Sequence, residues 1–569
     1  MNFRRNLQNS FITLLILFST GDFQESKITA LDEVKLDSSV QPNDEMLLMH
    51  PNSAIRITAI NVPSTARYIL MQAHSHFHNV TLSYDINPVE DRFVTGRNLG
   101  LLVENRETNN TKPLFLKYEA NGNNSISILI FSHIISYKDP IPGACNVEFS
   151  VELAPYLHTR FNNYSITVEH QPALSPYPKR SSRPSCENEF LEYELYHSYL
   201  SPMEFTEELY FQKILQMSDL ETAREIGREI RLFGFAPKTR SKFANYPGIG
   251  QVFSVVVTSK LSNVSSVYVP AASYGCDPVL EECQTINTPF SKSLAAASFM
   301  IGLFLAFFGH SYFKLELFFM GFLALALTSF VIVSRESALE IESVTLVAAF
   351  SGIIGGGIWL AVWYIRAEPA LSVLVPTILL GFLSACCVYY VPLNFEYLVS
   401  DFNFWASFIS CMLFLPVLLI VISWQANIIA CAVIGSYLIL APIGHYLGSS
   451  IAYILLNILR RATIPSYGHV VLDPPFHYYD QIMIGIWIAL AFLAATFQFL
   501  REWKNPLFPN VNPLPHLPWF KPRRGLPRLQ SQFPMPFSRE RASGETTPLI
   551  GSLPSPFSAS RDKSYFSSL

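Results

Sequence analysis

The sequence is short of charge: only 15% of its 569 residues are Asp, Glu, Lys or Arg, while 50% are hydrophobic. A soluble chain of this length carries about a quarter charged residues, and here the deficit lies almost wholly between Leu294 and Leu500. Neither sign is in excess, since the formal net charge is −4, so nothing supports nucleic acid as a partner of the whole chain. Of the eight cysteines, the four inside apolar runs, Cys386, Cys387, Cys411 and Cys431, match no zinc spacing, which argues against a metal site there. Sequons of the N-x-S/T type are missing after residue 290, an asymmetry that bears directly on topology.

What is present begins with a leader. Arg4 and Arg5 precede the apolar run Phe11–Phe18, and the small residues Ser19 and Gly21 stand at the −3 and −1 positions that signal peptidase reads. The run is far shorter than the ~20 residues that span a bilayer, so a cleaved secretory signal over residues 1–21 is expected rather than an anchor. Sequons then stand at Asn79, Asn109, Asn123, Asn163 and Asn263, all before the first long apolar run. They make the N-terminal part luminal or extracellular, and glycosylated. Cys145, Cys186, Cys276 and Cys283 share that oxidising side and can form two disulfides. Three pairings are open, with Cys276 to Cys283 the favoured local one. Cys386, Cys387, Cys411 and Cys431 lie inside apolar runs and behave as small hydrophobes.

Short alternating segments, Ala54–Ile60, Tyr68–Gln72, Asn79–Tyr84, Ser125–Phe131 and Tyr164–Val168, read as half-buried strands of a β-rich, sandwich-like module over residues 22–170. A Pro-rich linker is expected over 171–187. The second module, 188–290, reads as α+β: a strand at Leu191–Tyr199, a helical stretch Phe205–Leu232, then strands at Gln251–Thr258 and Val264–Val269. Residues 291–500 resolve into seven apolar runs, Leu294–Phe308, Leu315–Val333, Val344–Ile365, Leu371–Val391, Phe404–Trp424, Ile428–Leu447 and Gln481–Leu500. These predict an all-α seven-helix transmembrane bundle. Ile451–Leu459 is too short to cross and ends in Arg460 and Arg461, so it reads as an interfacial helix. The positive-inside count leaves orientation undecided, because Lys292, Arg335, Arg460 and Arg461 fall on the outer side of an N-outside chain. Residues 501–569 hold twelve prolines, and ten Lys or Arg against four Asp or Glu. That composition predicts a disordered cytosolic tail.

Few groups in the apolar block could carry chemistry. The third run ends Trp363-Tyr-Ile-Arg366-Ala-Glu, and the seventh contains neither Pro nor Lys, which argues against a rhodopsin-like receptor and a retinal protein. An intramembrane hydrolase needs converging His, Asp or Glu inside the helices, and the candidates are sparse. His310, Lys314 and Glu316 cluster around the first tight loop. There Lys314 and Glu316 read as snorkelling or paired interface residues, or else the three form a docking or ion-sensing cluster. Gly352 and Gly356 suit close helix packing, and Pro376, Pro416 and Pro442 interrupt three helices without paired charges beside them. His74, His76 and His78 alternate, so on one strand they would share a face. No partner ligand on a second strand can be identified, and neither a metal nor a cofactor is expected.

The chain resembles the transmembrane 7 superfamily member 3 family. The resemblance is carried by His74-Ser-His-Phe-His-Asn79-Val-Thr, Asp139-Pro-Ile-Pro-Gly-Ala-Cys145-Asn-Val-Glu-Phe149, Tyr268-Val-Pro with Tyr274-Gly-Cys276, and Phe307-Phe-Gly-His310-Ser-Tyr-Phe-Lys314-Leu-Glu316-Leu-Phe-Phe-Met-Gly321-Phe. The helical block is also similar to that of transmembrane protein 198. The resemblance implies a seven-pass surface or endomembrane protein linked to cell survival and attenuation of stress, with no established enzymatic activity. A receptor-like or scaffold-like role is expected, a channel or transporter being the alternative class. The tail ends in Glu545-Thr-Thr-Pro-Leu549-Ile550, similar to the acidic dileucine signal read by clathrin adaptors. Two branched apolar side chains on a flexible strand can enter an adaptor pocket while Glu545 meets a basic rim. Cycling between plasma membrane and endosomes or lysosomes follows from that reading, with the bilayer, a clathrin adaptor and an unidentified protein as partners.

Overall fold

The computed structural model describes residues 32–503 and Phe508, apart from residues 40–42, 106–110, 121–122, 177–185, 187–189, 231–238, 278, 280–282, 284–285, 287 and 392–395. The expected leader, most of the Pro-rich linker, Asn109 and the tail with Glu545, Leu549 and Ile550 lie outside the described residues.

The first module holds β1 (Asp32–Asp37), β2 (Glu45–Met49), β3 (Ser53–Ile60), β4 (Ala66–Ser75), β5 (Val80–Ser83), β6 (Phe93–Gly96), β7 (Asn98–Glu104), β8 (Leu114–Tyr118) and β9 (Ile126–Ser136). Two sheets form, in the orders β1-β3-β8-β5-β6 and β2-β9-β4-β7. In β3 the alternation is direct: Ile55, Ile57 and Ala59 are buried, while Arg56 and Ile60 are exposed. Those inward positions meet Ile69, Met71, Leu101, Ile128 and Ile130 of the facing sheet in one core, the packing that two amphipathic sheets need to remove their apolar faces from water.

The second module holds β10 (His158–Phe161), β11 (Ser165–Glu169), β12 (Leu191–Tyr199), α1 (Glu207–Ser218), α2 (Leu220–Ile226), β13 (Arg228–Ile230), β14 (Arg240–Ala244), β15 (Gln251–Ser259), β16 (Val264–Val267) and β17 (Ala271–Ser273). Its sheets run β10-β11-β14 and β13-β12-β15-β16, with β17 also on β15. This corrects the boundary expected at residue 170. β11 pairs with β14, Ile166 opposite Phe243, so 158–169 belong to the second module and the Pro-rich stretch is a connection within it. Local alternation identifies a strand but not its partner.

Helix α1 is wedged between the modules. Tyr210, Phe211, Ile214 and Met217 recur at helical spacing and share a core with Leu129 and Phe131 of β9 and Val252 and Val256 of β15. At the same junction His74 hydrogen-bonds Asn98 (2.9 Å) and Gln72 (3.2 Å), and His76 hydrogen-bonds the Tyr274 hydroxyl (2.8 Å). Disulfides join Cys145 to Cys186 and Cys276 to Cys283, which resolves the open pairing.

The helical region comprises α3 (Pro289–Phe308), α4 (Phe313–Glu336), α5 (Ile341–Arg366), α6 (Leu374–Tyr390), α7 (Asp401–Leu419), α8 (Ser423–Tyr446), α9 (Tyr453–Thr463) and α10 (Tyr478–Glu502). Six stretches of the described residues are long and apolar enough to cross a membrane, and one of them, Asp401–Tyr446, is 46 residues long. As one straight helix it would reach roughly 70 Å at 1.5 Å per residue, about twice a bilayer core. It folds back instead. At one end of α7 the Phe404 ring lies 3.6 Å from the Arg461 guanidinium carbon. Tyr437, toward the far end of α8, bonds Ile451 beside the same helix α9. The reversal is the three-residue turn Ile420–Ile422, and the turn His310–Tyr312 between α3 and α4 closes in the same way: Ile422 and Tyr312 share φ near −110° and ψ near 50°. Glycines set the closest helix approaches, because a Cβ on Gly302 would come within 2.7 Å of the Gly435 carbonyl, and one on Gly355 within 2.7 Å of the Gly321 carbonyl. The outward faces are apolar, with Phe350, Val417, Val421, Phe492 and Leu500 exposed, as a lipid solvent requires.

Burial pushes the imidazoles of His74, His76 and His170 down to about 4. The unfolded chain, with histidines near 6.5, then binds more protons than the folded one between those values. Their stabilising contribution is complete above pH 6.5 and falls as pH drops toward 4, by about 2 kcal/mol for His74 at pH 5, taking 1.36 kcal/mol per pKa unit. Thermal unfolding of the protein in detergent should therefore show a lower Tm at pH 5 than at pH 7.4, with His74→Gln reducing the difference. A Tm that holds or rises on acidification would contradict this.

Candidate functional site at the seam between ectodomain and helices

The residues singled out in the sequence do not converge on one centre. Asn79, Asn123, Asn163 and Asn263 are all exposed, as glycan acceptors must be, and they are scattered over the two modules. The three alternating histidines do not share a strand face, since β4 ends at Ser75. His74 and His76 are spent on Asn98 and Tyr274 at the module junction, while His78 is exposed. Among the described residues no group of three His, Cys, Asp or Glu could hold a metal.

The expected interface cluster at the first loop also separates. Lys314 points outward, its ammonium 5.1 Å from the centre of the Tyr364 ring. Glu316 turns inward and is fully buried, so it is neither snorkelling nor paired with Lys314. Two positions apart on a helix, the residues face different directions. The Glu316 carboxyl lies beside Asn427 and Cys431 of α8 without a hydrogen bond of good geometry to either. His310 joins the same interior: its ring faces the Asn427 amide at 3.1 Å, and its backbone N–H donates to Gln498. Gln498 in turn donates to the Leu305 and Ala306 carbonyls at the end of α3. These contacts tie α3, α4, α8 and α10 together at the end of the bundle away from the ectodomain.

The other end holds the arrangement that sequence reasoning missed. Between α9 and α10 the chain runs Pro465 to His477, and Val471 in its middle joins the second ectodomain module through a single β-bridge. The Ala244 N–H donates to the Val471 carbonyl (3.0 Å), and the Val471 N–H to the Lys242 carbonyl (2.8 Å), in a parallel bridge of Val471 with Phe243. Two residues on, Asp473 enters the module and is 4% exposed. His197 approaches one carboxylate oxygen at 3.1 Å, Arg228 donates to the other, and the Tyr199 hydroxyl donates to the Asp473 carbonyl. A buried carboxylate costs several kcal/mol unless charge and hydrogen bonds replace its water. Here strands β12 and β13 deliver both.

Helix α9 forms the second half of the seam. Arg460, expected near lipid headgroups, donates to the Asn245 carbonyl (2.8 Å), and Arg461 to the Leu398 carbonyl (2.8 Å). These cations are occupied by protein, which is why they do not report orientation. The Tyr453 ring stands edge-on to Tyr246 at 4.8 Å. Asn245 is fully buried and donates to the Asn162 and Gly275 carbonyls (2.7 Å each). Gly275 has φ +66°, and a Cβ there would fall 1.7 Å from the Asn245 side chain, so the turn before Cys276 admits only glycine. Asp480, in the first turn of α10, accepts from the Ser449 hydroxyl (2.8 Å), the Ser450 N–H (2.6 Å) and the His477 N–H (2.9 Å). It ties the end of α8 to the start of α10. The signal in the sequence was faint: β-branched Val470 and Val471, followed by a lone Asp, between Pro465 and Pro474.

A glycine-packed helical bundle with an apolar outer surface, carrying two β-rich modules locked to one of its interhelical loops, defines a multi-span membrane protein with an immunoglobulin-like ectodomain. Family models agree: residues 16–135 match the TM7SF3-like N-terminal immunoglobulin-like domain, 140–279 the TM7SF3-like second immunoglobulin-like domain, and 295–499 the TM7S3/TM198-like domain. The start at residue 140 supports the corrected module boundary. The chain is 27% identical to Transmembrane 7 superfamily member 3 of Homo sapiens over 94% of this chain and 92% of that one. It is 29% identical to the Rattus norvegicus protein of that name, over 86% and 91%. The chain belongs to the transmembrane 7 superfamily member 3 family.

Replacing Asp473 removes the acceptor that His197 and Arg228 share. Asp473→Ala should lower stability by roughly 2–4 kcal/mol, a little less than the ~3–5 kcal/mol for breaking a fully buried charge pair because Arg228 is half exposed, and speed hydrogen exchange at Ala244 and Val471 while leaving the β4 amides unchanged. Wild-type exchange at the two seam amides in a folded Asp473→Ala protein would show that the carboxylate does not hold the seam.

Proposed function

We propose that the protein is a non-enzymatic, receptor-like membrane glycoprotein in which ectodomain events are passed to the helices through the seam. The observation that supports this reading is the Val471 bridge with the buried Asp473 two residues on: together they make a loop between two membrane helices part of an immunoglobulin-like module. A tethered ectodomain would need no such graft. An N-terminus outside, glycans on the exposed sequons and a cytosolic tail complete the arrangement. The family resemblance adds a role in cell survival and attenuation of stress. Trafficking between plasma membrane and endosomes or lysosomes is assigned to Glu545, Leu549 and Ile550 through a clathrin adaptor.

One cell experiment tests both parts. In stressed cells lacking the endogenous protein, wild type should restore survival, and Asp473→Ala at equal surface abundance should restore less than half of it. Leu549→Ala with Ile550→Ala should raise the surface fraction at least twofold. Full rescue by Asp473→Ala would remove the coupling role, and unchanged surface abundance of the double variant would show the tail motif to be inert. Solute or ion flux in reconstituted vesicles would instead favour the channel or transporter class.

A further inference from the structure

The end of the bundle away from the ectodomain buries a carboxyl that the packing alone does not explain. Glu316 of α4 is fully buried, and neither of its carboxyl oxygens has a hydrogen-bond partner among the described residues. Asn427 of α8 is buried as completely and keeps its side-chain oxygen unpartnered, while its amide nitrogen faces the His310 ring at 3.1 Å. These three bare acceptors fall within one neighbourhood. Asn427 and Cys431 stand one turn apart on the same face of α8, and the Glu316 carboxyl lies beside both. The turn between α3 and α4 closes the same place from another side, since a Cβ on Gly309 would come within 3.0 Å of the Cys431 sulfur. No basic side chain pairs with Glu316 among the described residues. Lys314 is turned to the Tyr364 ring and Arg501 to the Phe308 ring.

A carboxylate held out of water needs a proton or a cation to offset its charge, and the acceptors distinguish the two. A proton on one Glu316 oxygen could be donated to the Asn427 oxygen, but the second Glu316 oxygen would stay bare. A cation draws on all three at once. One carboxylate balances one positive charge, so a divalent ion would leave excess charge in a medium of low dielectric. Carboxylate and amide oxygens are hard donors, which suit an alkali cation and not the metals that thiolate and imidazole select. The backbone favours the same class of ligand. Helices α4 and α8 both begin at a reversal, at Tyr312 and Ile422, and interrupted helices supply the further carbonyls that intramembrane cation sites draw on. We propose that Glu316 and Asn427 bind a single sodium ion inside the bundle, joining α4 to α8 beside the two turns.

The test uses the full-length protein purified in detergent at pH 7.4, with radioactive sodium as the probe and choline chloride holding the ionic strength constant. Wild type should retain sodium in a saturable way. Glu316→Gln, which keeps the size of the side chain and removes its charge, should weaken retention at least tenfold, Asn427→Ala should weaken it as well, and Glu316→Asp should keep part of it. A ligand that binds only the folded chain raises its melting temperature, so exchanging choline for sodium should raise the Tm of wild type and leave that of Glu316→Gln unchanged. In choline the Glu316→Gln protein should melt no lower than wild type, which separates lost binding from lost folding. Equal retention of sodium by wild type and a folded Glu316→Gln protein would overturn the proposal. So would a wild-type Tm that is the same in sodium and choline, a result that needs no variant and would leave a proton alone to offset the carboxylate. Neither readout depends on the receptor-like role.

Discussion

A carboxylate taken out of water must find its charge partners already in place, and the burial of Asp473 imposes that condition on the whole outer half of the molecule. His197 and Arg228 come from β12 and β13 of the second module, whereas Asp473 comes from the loop between α9 and α10. The pair therefore forms only when the ectodomain is seated on the helices in one register. The Val471 bridge fixes that register by backbone pairing, which tolerates no slip without turning Asp473 away from its partners.

The rest of the structure can be read outward from this point. Arg460 and Tyr453 extend the seam along α9 to Asn245 and Tyr246. Asp480 carries it into α8 and α10. Toward the N-terminus, α1 and the aromatic cluster around Tyr274 weld the second module to the first. At the far end of the bundle, His310, Asn427 and Gln498 close the helices on one another. Polar groups are few in the helical block, and most of those that are buried sit at one of its two ends, where helices meet.

Much of this architecture was legible in the sequence because it rests on periodicity and solvent. Two-residue alternation marked β3, β4, β9 and β11, and long apolar runs marked the helices, since each pattern reflects how one element meets its own surroundings. What was not legible were pairings between distant segments. Nothing local tells β11 that its partner is β14, or Glu316 that it turns toward Asn427 rather than toward Lys314. Arg460 and Arg461 looked like interfacial cations because composition cannot distinguish an arginine facing headgroups from one donating to a backbone carbonyl. The Val470-Val471 segment was too short, and too close to prolines, to separate from an ordinary loop.

A rigid seam distinguishes this arrangement from an ectodomain on a flexible stalk, and the distance distribution between spin labels at Lys260, exposed in the second module, and Glu340, exposed between α4 and α5, measures it most directly. In lipid nanodiscs at neutral pH, pulsed electron resonance should give a single narrow distribution in the otherwise unaltered protein. A broad or multimodal distribution would mean that the ectodomain moves freely on the helices, and that the contacts of Asp473 and Val471 do not hold it.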